Sequence, residues 1–286
     1  MTSNPSIFGV PLTPTTNQGA REKLESVLNT DGFQFWTTPN PEILLKGEAD
    51  AEYKNILKNA DIALPDGVGL QWATTFLVQK KGPWWIDIWI FLFTYLELVF
   101  AAKRLRRILP ERVMGSEFFY TMCDVANQKH VTVHILAGNN LEEAGRMKER
   151  LGQLYPDMHI SDVYPGWAFD QADDQVMLDD IQHYKPDLLI VCFGAPKQEK
   201  WIHTYRAELA EAGVRMAIGL GGTMDFMLGT RKRAPKWMSN AGLEWLYRLF
   251  QSEKGRIDKQ SRWVRVRRIL SAVFVFPYRV FRTRNN

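Results

Sequence analysis

The run Asp187-Leu-Leu-Ile-Val-Cys-Phe-Gly-Ala-Pro-Lys-Gln-Glu199 constrains the fold more than any other stretch of this chain. Apolar and β-prone residues stop at Gly194, and a helix-compatible segment follows with Pro196 at its first turn. A short apolar strand feeding a helix through glycine is the building unit of an open α/β sheet, whose ligands bind at the carboxyl ends of the strands. Gly194 lets a ligand approach the backbone, and the helix start offers N–H groups and a positive dipole end to a phosphate. Gln198 and Glu199 then stand on a rigid element at that edge. The same pattern also fits a plain connection with a solvated helix face, so this loop alone does not decide.

The unit recurs. Strands are expected over 33–38, 62–64, 131–136, 159–163, 188–193 and 214–218. Helices are expected over 41–59, 68–78, 115–128, 141–154, 173–183 and 197–211, the first with Asn40 as N-cap and Pro41 in its first turn. This alternation predicts an α/β fold: a Rossmann-like, mostly parallel sheet with helices on both faces. With 286 residues and 45% hydrophobic content, the chain can bury a full core. Residues 1–30 read as an N-terminal lead-in, polar and flexible over 1–20, and 31–250 as the α/β domain. Cys123 and Cys192 sit among apolar neighbours and read as buried thiols, and the first residues lack the basic start and apolar run of a secretory signal. A reducing cytoplasm is the expected compartment.

Two segments stand outside the alternation. From Trp84 to Ala102, within an insert over 80–108, the chain is nearly long enough to span a bilayer. A single crossing would split one α/β domain across the membrane, so a helix lying in the interface is expected instead. At about 100° per residue, Asp87, Thr94, Glu97 and Arg104 share a narrow stripe, the remaining face is broad and apolar, and Lys and Arg flank both ends. A buried core helix or a contact in a homo-oligomer is the competing reading. The second segment, 251–286, is a basic amphipathic appendage in which Arg262, Arg265, Arg267 and Arg268 alternate with Trp263, Val264, Val266 and Ile269. Such a segment suits an anionic membrane surface; nucleic acid is not expected, since no recognition module accompanies it.

Asp66, after a buried strand and before Gly67, fits a general base or an N-cap. Thr37, Thr38 and Asn40 end the first strand with groups suited to sugar hydroxyls, or to turns and caps. Gly219-Leu-Gly221-Gly222-Thr-Met-Asp225 is a third glycine-rich edge without dinucleotide spacing, and Asp225 fits a contact to a base or ribose or a helix cap. Arg231-Lys-Arg233 follows with cations suited to a diphosphate. The five histidines show no zinc pattern, no two aspartates sit at i and i+2, and no cofactor motif is present, so neither metal nor cofactor is expected.

In order, Thr38-Pro-Asn40-Pro-Glu, Ala60-Asp-Ile-Ala-Leu-Pro-Asp66-Gly67, Glu111-Arg112-Val-Met-Gly115, Gly194-Ala-Pro-Lys-Gln198-Glu199, Gly221-Gly222-Thr-Met-Asp225, Arg233-Ala-Pro and Gly242-Leu-Glu-Trp-Leu-Tyr-Arg248 resemble the motifs of the WecG/TagA/CpsF family of bacterial glycosyltransferases over roughly residues 30–250. The resemblance implies a metal-independent, inverting transferase that moves a sugar from a UDP-sugar to a polyprenyl-diphosphate-linked saccharide at the cytoplasmic face of the membrane, in cell-surface polysaccharide biosynthesis. It implies Asp66 as base and Thr38, Asn40, Arg112 and Gln198 as binding residues. Gly67, Gly194, Glu199, Gly221, Gly222, Asp225, Arg233 and Arg248 complete the expected substrate site. A membrane-docked nucleotide-binding or scaffold protein without transferase activity is the alternative. Two departures stand out: the insert is extra, and Leu249-Phe-Gln-Ser-Glu replaces the Glu-Pro that often follows Leu-Tyr-Arg in the family.

Overall fold

The computed structural model describes residues 4–100, 102–137, 141–165, 171–229, 234–235, 238, 247 and 266–285. Among the described residues, six strands and the helices between them follow the expected alternation, and an unexpected two-strand hairpin precedes them. In chain order they are β1 (Ser6–Ile7), β2 (Val10–Pro11), α1 (Asn17–Val27), β3 (Gln34–Thr37), α2 (Pro41–Ala49), α3 (Ala51–Lys58), β4 (Ile62–Ala63), α4 (Val68–Leu77) and α5 (Trp84–Phe100). After a 3-10 turn (Ala102–Leu105) come α6 (Gly115–Lys129), β5 (Thr132–Leu136), α7 (Leu141–Leu154), β6 (His159–Tyr164), α8 (Gln171–Tyr184), β7 (Leu188–Val191), α9 (Lys197–Thr204), α10 (Arg206–Glu211), β8 (Met216–Gly219) and α11 (Thr223–Met227). The C-terminal helix starts over 266–270, passes through a π-helical stretch (Ser271–Val275) and ends as α12 (Phe276–Asn285).

Six strands pair in the order β4-β3-β8-β7-β5-β6, every pair parallel, which makes the fold Rossmann-like. All four residues of β7 and of β8 are buried, as strands covered on both faces must be. One face is closed by α1, α6 and α7 through Leu24, Phe118, Phe119, Met122 and Met147. The other is closed by α8, α9 and α10 through Met177, Ile181, Trp201, Ile202 and Leu209. A third cluster joins the β1–β2 hairpin to α2, α3, α4 and α12 through Ile7, Leu12, Leu44, Tyr53, Trp72, Phe76 and Phe276, with Phe91 and Tyr95 of α5 packed against it.

The structure corrects four expectations. Residues 4–20 are not a flexible lead-in. Ile7, Val10 and Leu12 bury their side chains, the Leu12 N–H donates to the Pro5 carbonyl (2.8 Å) and the Thr13 N–H to the Ala63 carbonyl (2.9 Å), and Thr16 caps α1 by accepting from the Gly19 N–H (2.9 Å). The helix expected over 41–59 is two helices, because Asp50 adopts an extended conformation and caps α3 by accepting from the Tyr53 N–H (3.0 Å). The helix expected over 197–211 breaks at Tyr205. Asp66 does not cap α4: Gly67 takes the N-cap position at φ 109°, without a side-chain hydrogen bond.

α5 carries the expected stripe only in part, since it ends at Phe100 and leaves Arg104 exposed in the 3-10 turn that follows. Asp87 and Thr94 face the protein, and the Trp72 indole donates to Thr94 Oγ1 (3.1 Å). Glu97 pairs with Arg104 from the following turn (3.6 Å). The outward face is apolar. Among the described residues, no helix is long and apolar enough to cross a membrane.

Candidate active site

The site residues gather because four consecutive strands end at one edge. β4, β3, β8 and β7 lie side by side, and their carboxyl ends lead into the segments of Asp66-Gly67, Thr38-Pro-Asn40, Gly221-Gly222 and Gly194. The connections after β7 and β5, which are neighbours, run in opposite directions across the sheet. That reversal opens the crevice in which a sheet of this kind binds its ligand.

Backbone hydrogen bonds hold these segments in register. The Asp66 N–H donates to the Pro39 carbonyl (2.8 Å), and the Val113 N–H to the Pro65 carbonyl (2.9 Å). The segment carrying Arg112 is thereby seated beside the Asp66 turn. Gly115, at the start of α6, packs where a Cβ would stand 3.1 Å from Thr38 Oγ1 and 3.2 Å from Leu220. The Thr38 hydroxyl reaches the Gly219 carbonyl (3.4 Å), joining the β3 and β8 ends. Asn40 spends its Oδ1 on the Ile43 N–H (3.0 Å) as the N-cap of α2. The Thr37 hydroxyl is buried with no partner among the described residues.

The Gly194 loop proves to be a braced structure. The Gly194 N–H donates to Gln198 Oε1 (3.0 Å), and the Gln198 N–H returns to the Gly194 carbonyl (3.2 Å). Gln198 Nε2 donates to Glu199 Oε1 (2.7 Å), and the Tyr53 hydroxyl to Glu199 Oε2 (3.1 Å). From α2, Lys46 donates to the Ala195 carbonyl (3.0 Å). Gln198 and Glu199 are both buried, so in this geometry they shape the loop from behind. Glu199 lies among neutral donors away from water, and burial holds its carboxyl above the usual carboxylate range despite those hydrogen bonds.

The glycines of the β8 loop have a packing cause. A Cβ on Gly221 would stand 2.6 Å from the Gly194 Cα, and one on Gly219 2.6 Å from Gln198 Nε2. Two loops thus meet backbone to backbone, and Gly222 starts α11 at φ 82°. Asp225 sits in the first turn of α11 and does not occupy its N-cap. Burial, with the Asp225 charge adding to it, pushes the Cys192 thiol up to about 12, so this cysteine is an inert buried group. His134 is likewise a core residue: it bonds Ser161 Oγ through Nδ1 (3.0 Å), and burial lowers it to about 4. Arg233 and Arg248 lie outside the described residues.

Sequence reasoning missed Tyr53 and Lys46, the two side chains that α3 and α2 send to the loop. Tyr53 was open to detection through its apolar spacing with Ile56 and Leu57, which marks it as inward-facing.

A carboxylate, a neighbouring arginine segment, threonine hydroxyls and glycine-lined backbone on one edge suit the binding of a phosphorylated, hydroxyl-rich substrate. The sequence profile described as Glycosyl transferase WecG/TagA/CpsF family matches residues 5–85 and 96–286. The chain belongs to this family. It is a glycosyltransferase. The match runs from residue 5 to residue 286, beyond the 30–250 span seen in the motifs, and within that range omits only residues 86–95, inside α5. The chain is 30% identical over 237 residues to the N-acetylglucosaminyldiphosphoundecaprenol N-acetyl-beta-D-mannosaminyltransferase of Bacillus spizizenii, covering 83% of this chain and 75% of that protein. Proteins of the same description from Bacillus subtilis (29% over 213 residues, 74% and 70% covered) and Staphylococcus aureus (25% over 282 residues, 98% and 92% covered) are also similar.

Proposed function

We propose that this glycosyltransferase moves a sugar from a UDP-sugar onto a saccharide carried by polyprenyl diphosphate, with inversion and without a metal ion, in cell-surface polysaccharide biosynthesis. One observation carries the reading: the ends of four adjacent strands bring Asp66, Thr38, Asn40 and the glycine loops to one edge, with the Arg112 segment hydrogen-bonded onto the Asp66 turn. In this reading Asp66 takes the proton of the acceptor hydroxyl as its oxygen attacks the anomeric carbon. The bond from that carbon to UDP breaks on the opposite face, and the electron pair leaves with the diphosphate. Arg112, with Arg233 and Arg248, meets the developing charge. The N–H groups of Gly194 and Gln198 are used within their own loop, so the cations take the larger share of that work.

The names of the relatives make N-acetylmannosamine the first donor sugar to try and N-acetylglucosaminyl-diphosphoundecaprenol the first acceptor. A lipid-borne acceptor leaves the bilayer at a cost of ~0.8 kcal/mol per methylene, so the enzyme works at the membrane surface, on the cytoplasmic face, as a peripheral protein. The test is mass spectrometry of the lipid-linked product after incubation with a panel of UDP-sugars, repeated with a chelator. A product heavier by one sugar, formed equally well with chelator, is expected, and NMR of its anomeric proton should show the configuration opposite to the donor's. UDP-sugar binding without any product would favour the scaffold reading.

A further inference from the structure

We propose that α5 and the C-terminal helix form one docking unit for an anionic bilayer surface, rather than two separate anchors. The unit rests on how the two helices are joined. The Tyr95 hydroxyl donates to the Val273 carbonyl (2.7 Å), Phe91 meets Phe281 edge-on (5.4 Å), and Arg284 donates to Asp87 Oδ1 (2.9 Å). The three contacts run in opposite chain order, so the helices lie antiparallel. Arg284 also donates to the Phe76 and Lys80 carbonyls and stacks on the Phe76 ring (4.6 Å), tying the end of α4 and the start of α5 to the C-terminus.

Pinned this way, α5 shows its apolar side to the outside. Trp84 is 70% exposed, Trp89 69% and Phe93 60%, with Trp85, Leu92 and Leu96 also exposed, while Asp87 is fully buried. On the C-terminal helix, Arg267, Leu270, Phe274, Tyr278 and Arg282 are exposed and recur at helical spacing, forming one stripe with a cation at each end. Tyr278 stands three residues before Phe281, whose ring meets α5, so the stripe borders that seam. Lys80, Lys81, Arg104, Arg106 and Arg107 add exposed cations at both ends of α5. An apolar face rich in tryptophan and framed by cations complements lipid tails beneath anionic headgroups. Trp89, Leu92 and Phe93 fall in residues 86–95, which lie outside the family match, so the centre of the α5 face belongs to a stretch the family profile lacks. The proposal deepens the reading of a membrane-borne acceptor, but its test needs no substrate.

The full chain is floated with vesicles of phosphatidylglycerol and phosphatidylethanolamine, and with vesicles of phosphatidylcholine alone. Strong binding to the first and weak binding to the second are expected. Trp85→Ser/Trp89→Ser/Phe93→Ser should lower binding to anionic vesicles by at least about tenfold, since several exposed apolar side chains are removed. Arg267→Gln/Arg282→Gln should lower it about fivefold per arginine. Arg284→Met leaves both outward faces intact yet should also weaken binding, and Asp87→Leu/Arg284→Met, which retains packing, should restore it. Circular dichroism confirms that each variant is folded. Wild-type binding to neither vesicle, or unchanged binding by the triple-Ser variant, overturns the proposal. So does a wild-type dimer that the triple-Ser variant converts to monomer without vesicle binding by either, which would make the face a contact between copies.

Discussion

Each of the two functional regions buries a carboxylate, and the partners differ. At the sheet edge Glu199 is met by the neutral Tyr53 hydroxyl and Gln198 amide, while at the α5 seam Asp87 is met by the Arg284 guanidinium. The edge is closed on itself: loop meets loop at distances that exclude side chains, and its polar groups face one another. The seam is turned inside out, with the polar stripe of α5 spent on internal bonds and the apolar residues left outside. A rigid pocket wall needs the first arrangement, since catalytic groups held to a fraction of an ångström need supports that do not move. A surface that enters another phase needs the second.

Changing the reacting carboxylate should have the largest effect and should leave the fold alone. Asp66→Asn is expected to lower turnover by ~10²–10⁴-fold, the range for loss of a general base. Its thermal midpoint should stay near that of the wild type. Near-normal turnover removes Asp66 from that role and leaves the edge a binding wall only.

At the seam the loss should appear in stability. Arg284→Met leaves Asp87 buried without its partner, which costs ~3–5 kcal/mol, whereas replacing both residues by apolar ones is often neutral or stabilising. Denaturant titration of Arg284→Met, and of the double variant with Asp87→Leu, checks this. If the single variant is as stable as the wild type, the ion pair does not pin the helices.

Gly221→Ala tests the edge by packing alone. Its Cβ would stand 2.6 Å from backbone, so the loops must part, at ~1–3 kcal/mol for overpacking. Turnover should fall together with the thermal midpoint. A variant with unchanged stability and lost turnover would return Gly221 to the role of ligand approach.

These contrasts follow what the sequence makes legible. Parallel strands covered on both faces are continuous apolar runs that stop at glycine, so β5, β7 and β8 were visible, and the order of motifs placed Asp66, Gly194 and Gly221 at strand ends. Breaks at Asp50 and Tyr205 were not, because neither residue is a glycine or proline. The N-terminal hairpin escaped because two-residue strands carry no period. The stripe on α5 was visible from spacing, but its direction was not: that depends on Arg284, 197 residues later. The bracing of Gly194 by Tyr53 hid for the same reason, since Tyr53 meets Glu199 across 146 residues.

The finest contrast between the regions is in pH. Glu199 binds its proton more tightly in the folded chain than the unfolded value of about 4.3. Above that value the folded state holds more protons than the unfolded state, so the native fold loses stability as pH rises toward the folded pKa. Below it both states are protonated and the advantage is complete. Glu199→Gln removes the titration while keeping the shape, so the difference in thermal midpoint between the wild type and this variant should shift against the wild type from about pH 4.3 upward and then level off. The hydroxyl of Tyr53 can turn to accept from the new amide, which keeps the loop braced and turnover near the wild-type level. A parallel pair of midpoint curves would mean that Glu199 titrates alike in both states. Burial among neutral donors would then leave no mark on the Glu199 carboxyl, and the contrast between the two regions would lose its electrostatic part.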